Sequence, residues 1–132
     1  MAKILLVDDD ELVLNAWKYT LESEGHEVKA ALSGAKALEL LSKGKPDIIF
    51  TDLVMPEMNG VELCSKAKAV YPGVEVVLIS GHPGEIEKLQ MAFLNAGGKD
   101  LFLRKPLLQE EIRDAVKTIM DSKKISSFKS DI

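Results

Sequence analysis

The chain has 132 residues, enough for one domain with its own core and too few for two. Hydrophobic residues make up 46% and charged residues 29%, a soluble globular composition that excludes disorder. The net charge of −4 argues against a general nucleic-acid surface, and a single cysteine, Cys64, excludes an internal disulfide or a cysteine zinc cluster. The longest uncharged stretch, Leu89 to Gly98, is ten residues, about half a membrane span. No secretion signal stands at Met1-Ala2-Lys3-Ile4, so a cytoplasmic protein without membrane contact is expected.

Short apolar runs alternate with longer helical patterns from end to end. Ile4-Leu5-Leu6-Val7 reads as a strand, followed by an amphipathic helix from Glu11 to Ser23 that stops near Gly25. Glu27 to Ala31 is a short second strand, and a helix from Ala35 to Ser42 follows, with Ser33 as N-cap and Gly44 as terminator. Asp47 to Thr51 reads as a third strand, then Val61 to Val70 as a helix ended by Pro72-Gly73. Val74 to Ile79 is the most β-rich run, and a helix from Glu85 to Asn95 ends at Gly97-Gly98. Leu101 to Leu103 is the fifth strand and Leu107 to Met120 the fifth helix. The domain is expected over residues 1–121, with 122–132 as a polar tail or truncated linker.

Five β-then-α units predict an α/β fold: a doubly wound five-stranded parallel sheet with helices on both faces. The runs 4–7, 48–50 and 76–79 are continuously apolar, as strands buried on both faces should be. Glu27-Val28-Lys29 alternates, which places the second strand at an edge. In such a sheet, ligands sit beyond the carboxyl ends of the strands. Those ends carry Asp8-Asp9-Asp10, Asp52, Ser80 and Lys105.

Carboxylates crowded at one sheet edge repel each other and require a cation among them. The ligands on offer are hard oxygens with no His or Cys alongside, which favours Mg²⁺, or Mn²⁺ in its place, over zinc. A divalent metal, the Lys105 ammonium and the Ser80 hydroxyl around a carboxylate suit a phosphoryl group. The central carboxylate, Asp52 by strand position, can itself be the nucleophile and form an aspartyl phosphate. Each member has a plainer reading taken alone. Asp10 is expected to cap the first helix, and a strand-end Ser or a lone Lys is usually a turn residue or a solvated charge. The set carries weight that its members lack.

The motifs Val7-Asp8-Asp9, Asp52-Leu53-Val54-Met55-Pro56 followed by Met58-Asn59-Gly60, Ile79-Ser80-Gly81 and Lys105-Pro106 resemble the receiver domain of bacterial two-component response regulators. The resemblance is chemotaxis-regulator-like and runs from about Lys3 to Met120. It implies a flavodoxin-like (βα)5 fold with strand order 2-1-3-4-5. It further implies that Asp52 accepts a phosphoryl group from a histidine kinase or phosphotransfer protein. Asp9 then holds Mg²⁺ directly and Asp8 mainly through water, with the Asp52 carboxylate and the Val54 carbonyl completing the site. Ser80 and Lys105 contact the phosphoryl group, and Ser80 and Phe102 form the switch. A cis bond at Lys105-Pro106 is implied as well. The expected result is a phosphorylation-dependent signalling switch, not a metabolic enzyme, with self-phosphorylation and slow self-dephosphorylation only. It acts through its fourth helix, fifth strand and fifth helix on an unknown effector or output domain, with a phosphorylation-dependent homodimer as a further expectation.

Three departures from the family pattern stand out. One extra residue lies between Ala96 and Lys105, through Gly97-Gly98-Lys99-Asp100. The switch hydroxyl is followed by Gly81-His82-Pro83, where His82 is either a solvated loop residue or a group at the mouth of the site. Val54 is apolar where some relatives carry a polar side chain. Two other function classes compete. A haloacid-dehalogenase-type phosphohydrolase needs an acid two residues after its nucleophile, and Val54 stands there. A flavodoxin-like cofactor binder needs a first loop that attracts phosphate, and Asp8-Asp9-Asp10 repels one. Trp17 is expected at the surface or core boundary, Cys64 as a buried apolar residue, and His26 solvated in a turn. Lys123, Lys124 and Lys129 are too dispersed for a nucleic-acid arm.

Overall fold

A computed structural model describes residues 1–82 and 84–130, with side chains through Lys123. Strands β1 (Lys3–Val7), β2 (Glu27–Ala31), β3 (Ile48–Asp52), β4 (Glu75–Ser80) and β5 (Phe102–Arg104) alternate with helices α1 (Glu11–Ser23), α2 (Gly34–Leu41), α3 (Gly60–Val70), α4 (Glu85–Asn95) and α5 (Gln109–Ser130). The strands pair in parallel in the order β2-β1-β3-β4-β5, so β2 lies at an edge, as its alternating sequence predicts.

Side chains of successive strand residues leave opposite faces of the sheet, and both faces are buried. Leu5, Val7 and Ile49 pack under α2, α3 and α4 with Leu41, Leu63, Cys64 and Phe93. Ile4, Leu6, Phe50 and Val77 pack under α1 and α5 with Leu14, Trp17, Ile112 and Ile119. Trp17 is therefore a core residue, only 5% exposed, and the expected boundary position is corrected. Its spacing explains why: Leu14, Trp17 and Leu21 lie on one stripe of α1. His26 is corrected too, since its Nδ1 accepts the Ala2 N–H at 3.0 Å and burial pulls its pKa down.

Helix α5 continues ten residues past the expected end at Met120. The segment from Asp121 to Ser130 contains no Gly or Pro to stop it. Lys123 Nζ also donates to the Gly73 carbonyl at 3.2 Å, tying the helix to the turn before β4. The polar segment expected as a tail from residue 122 is thus helical through Ser130, and residues 131–132 lie outside the described residues.

Candidate functional site

The carboxyl ends of β1, β3, β4 and β5 meet at one edge of the sheet. The ladder runs one residue further than the apolar runs suggest: Asp52 pairs with Ile79 and Ser80 with Arg104. Asp52 and Ser80 are therefore the last residues of their strands, held by main-chain pairing. Behind Asp52, Gly60 lets α3 begin close to the strand. A Cβ there would stand 2.7 Å from the Asp52 carbonyl oxygen and 2.8 Å from Leu78 Cδ2. The Gly60 N–H donates to the Leu53 carbonyl at 2.9 Å, and the Asn59 side chain caps the helix through the Glu62 N–H.

Asp8 is fully buried and Asp52 is 3% exposed, whereas Asp9 is open to solvent. Each of the three can offer a carboxylate oxygen such that these atoms lie within 4.8 Å of one another. Asp8 Oδ1 accepts the Asp10 N–H at 2.9 Å, and Asp10 caps α1 through the N–H groups of Leu12 and Val13, as its plainer reading predicts. From the far end of β5, Lys105 reaches back between the buried acids. Its Nζ lies 2.6 Å from Asp8 Oδ2 and 3.2 Å from Asp52 Oδ2. Asp52 Oδ1 is buried with no hydrogen-bond partner.

Burial pushes the Asp52 pKa up, against the Lys105 charge that pulls it down, and the neighbouring Asp8 adds to the rise. Burial would lower the Lys105 pKa, but its bond to Asp8 and the charges of Asp52 and Asp8 outweigh this, and it rises. One ammonium thus faces two buried carboxylates with an exposed third beside them. The surplus negative charge and the orphaned Asp52 oxygen fit a hard divalent cation with oxygen ligands.

Ser80 is buried 3% exposed, and its Oγ accepts the His82 N–H at 3.2 Å. His82 itself is exposed beside that site. Phe102 is half-buried, its ring edge-on to Phe93 with centroids 5.9 Å apart and planes at 64°. The α4–β5 loop runs close against Phe93. Gly97 adopts φ 94° as the helix ends, and a Cβ on Gly98 would overlap the Phe93 ring. The Lys105-Pro106 bond is cis, as the resemblance implies. Residues 4–117 match the response regulator receiver domain family.

The chain belongs to that family. The alkaline phosphatase synthesis transcriptional regulatory protein PhoP of Bacillus subtilis is 29% identical over 130 residues, 98% of this chain and 53% of the relative. The transcriptional regulatory protein GlrR of Escherichia coli is 34% identical over 118 residues, 87% of this chain and 25% of the relative. A CheY-like receiver domain protein of Methanospirillum hungatei superposes with a TM-score of 0.88 at 28% identity, covering 96% of this chain and 98% of that one. NtrX of Brucella abortus gives 0.87 at 29% identity over 99% of this chain and 30% of that one. The chain spans about half the length of PhoP and a quarter of GlrR. The fold is the flavodoxin-like receiver fold, and a receiver domain is a phosphorylation-dependent switch. The Asp8, Asp9 and Asp52 pocket is the acidic site that such a switch uses. Among the described residues, no helix is long and apolar enough to cross a membrane.

Proposed function

We propose that Asp52 is the phospho-acceptor and that the phosphodonor is a histidine kinase or a phosphotransfer protein. The observation that carries this is Asp52 itself: a buried carboxylate with one oxygen unpartnered and the other 3.2 Å from a lysine ammonium. An Asp52 oxygen attacks phosphorus, the P–N bond of a phosphohistidine breaks, and the departing imidazole nitrogen keeps the bonding pair. Lys105 then exchanges its carboxylate partner for a phosphoryl oxygen, and the Ser80 hydroxyl donates to another.

Asp8, Asp9, Asp52 and the Val54 carbonyl would hold Mg²⁺, for which Mn²⁺ substitutes. When bound, the cation neutralises charge on the transferring phosphoryl oxygens. No other substrate is turned over: the domain phosphorylates itself and slowly hydrolyses its own acyl phosphate. The response travels from Ser80 to Phe102 and the α4–β5–α5 face, where an effector, an output domain or a second copy docks. Ser80 turning toward the phosphoryl group opens space behind β4. Phe102 has no hydroxyl to strand when it moves inward. A charge of about −1.5 to −2 with three acceptor oxygens is enough to bias two packings a few kcal/mol apart. The setting is cytoplasmic, without direct nucleic-acid binding by this domain.

Chemical shifts measured with and without the phosphoryl mimic beryllofluoride test the reading. Changes at Phe102 and along α4 and α5 are expected. Changes confined to the loop after Asp52 would refute the switch.

A further inference from the structure

Lys105 has three neighbours at the site, not two. Besides Asp8 and Asp52, its ammonium stands over the ring of Trp17, 5.9 Å from the centroid. Trp17 cannot readily move away, because it is 5% exposed and packed with Leu14 and Leu21 between α1 and the sheet. An indole face is the strongest aromatic seat for a cation, and one that water reaches poorly holds it more tightly. The two carboxylates that grip Lys105 belong to the trio suited to a divalent cation. Lysine and metal therefore draw on the same two carboxylates. A third seat that takes no carboxylate eases that competition, and it keeps the ammonium within reach of a group added to Asp52.

We propose that Trp17 is a positioning residue for the phosphorylation site, its indole face holding the Lys105 ammonium when the acidic oxygens are engaged elsewhere. The inference rests on the proposed role of Lys105 at Asp52. Removing the ring commits Lys105 more fully to Asp8 and Asp52, so it should weaken metal binding without touching a metal ligand. Removing the lysine should abolish that effect.

The test is a double-mutant cycle read as Mg²⁺ affinity by calorimetry, with urea melts confirming that each variant is folded. Trp17→Leu should weaken Mg²⁺ binding about three- to tenfold in the wild-type background and less than about twofold in a Lys105→Met background. Trp17→Phe, with a weaker ring face, should fall between. Equal weakening in both backgrounds would overturn the proposal and leave Trp17 a packing residue. A second readout keeps tryptophan in place. Trp17 is the only tryptophan in the chain. Its emission in metal-free protein should change in Lys105→Met and be retained in Lys105→Arg. Identical spectra for wild type and Lys105→Met would overturn the contact. A wild-type protein that gains no phosphoryl group would refute the proposed function, while the cycle and spectra would still decide on Trp17.

Discussion

Lys105→Met isolates the electrostatics of the site. Methionine keeps most of the side-chain volume and removes the charge that faces Asp8 at 2.6 Å and Asp52 at 3.2 Å. Breaking a buried ion pair costs about 3–5 kcal/mol, because a charge is left uncompensated. The Lys105 side chain is 23% exposed, so water softens the loss here to about 2–3 kcal/mol. At this chain length that is a fall in Tm of about 6–12 °C. Thermal melts in chelator at neutral pH measure it. Excess Mg²⁺ should recover most of the loss, because the cation supplies the missing positive charge and meets one competitor fewer.

The pH dependence has a definite sign. Burial holds the Asp52 pKa above its unfolded value, and losing Lys105 removes the main influence pulling it down. A raised carboxyl favours the folded state most below its unfolded pKa, and that advantage is lost as pH rises through the folded pKa. The deficit of Lys105→Met should therefore shrink as pH falls from neutral toward the carboxylate range. A variant as stable as wild type in chelator, or a deficit that grows on acidification, would refute this electrostatic reading.

Three further outcomes are expected. Asp9→Ala should weaken Mg²⁺ binding at least about tenfold and leave metal-free stability unchanged or raised, since an exposed charge leaves a crowded acidic cluster; a clear loss in a chelator melt would mark Asp9 as structural. Glu57 holds φ 68°, a conformation that costs a side chain about 1–2 kcal/mol, so Glu57→Gly should gain about 1 kcal/mol in urea melts after the entropy of glycine is counted. Gly60→Ala should cost about 1–3 kcal/mol and slow labelling of Asp52, because the new Cβ pushes on the Asp52 carbonyl; wild-type melting and labelling would contradict that placement.

Much of the site was legible because the chemistry of each residue and its place on a strand end agree. Continuous apolar runs mark β1, β3 and β4 as central, which alone brings Asp8, Asp52 and Ser80 to one edge. The strand-like runs end one residue before β3 and β4 do, since Asp52↔Ile79 and Ser80↔Arg104 are pairings between strands that no single run displays. Lys and Ser after Met120 suggest a solvated tail, but neither residue type stops a helix, so the end of α5 leaves no mark in the composition. Trp17 was legible in its i, i+3, i+7 stripe with Leu14 and Leu21, but its large amphipathic ring invited a boundary placement. Its contact with Lys105 spans 88 residues of chain and leaves no local signal. The partner of His26, the N–H of Ala2, is likewise distant along the chain and leaves no local signal.

The most direct measurement is the intact mass of the protein after incubation with Mg²⁺ and acetyl phosphate or a phosphorylated kinase, for wild type beside Asp52→Asn. Wild type should gain one acid-stable, base-labile phosphoryl group, and Asp52→Asn should gain none, because an amide oxygen is a very poor nucleophile. Equal labelling of the two proteins would contradict the assignment of Asp52 as the phospho-acceptor.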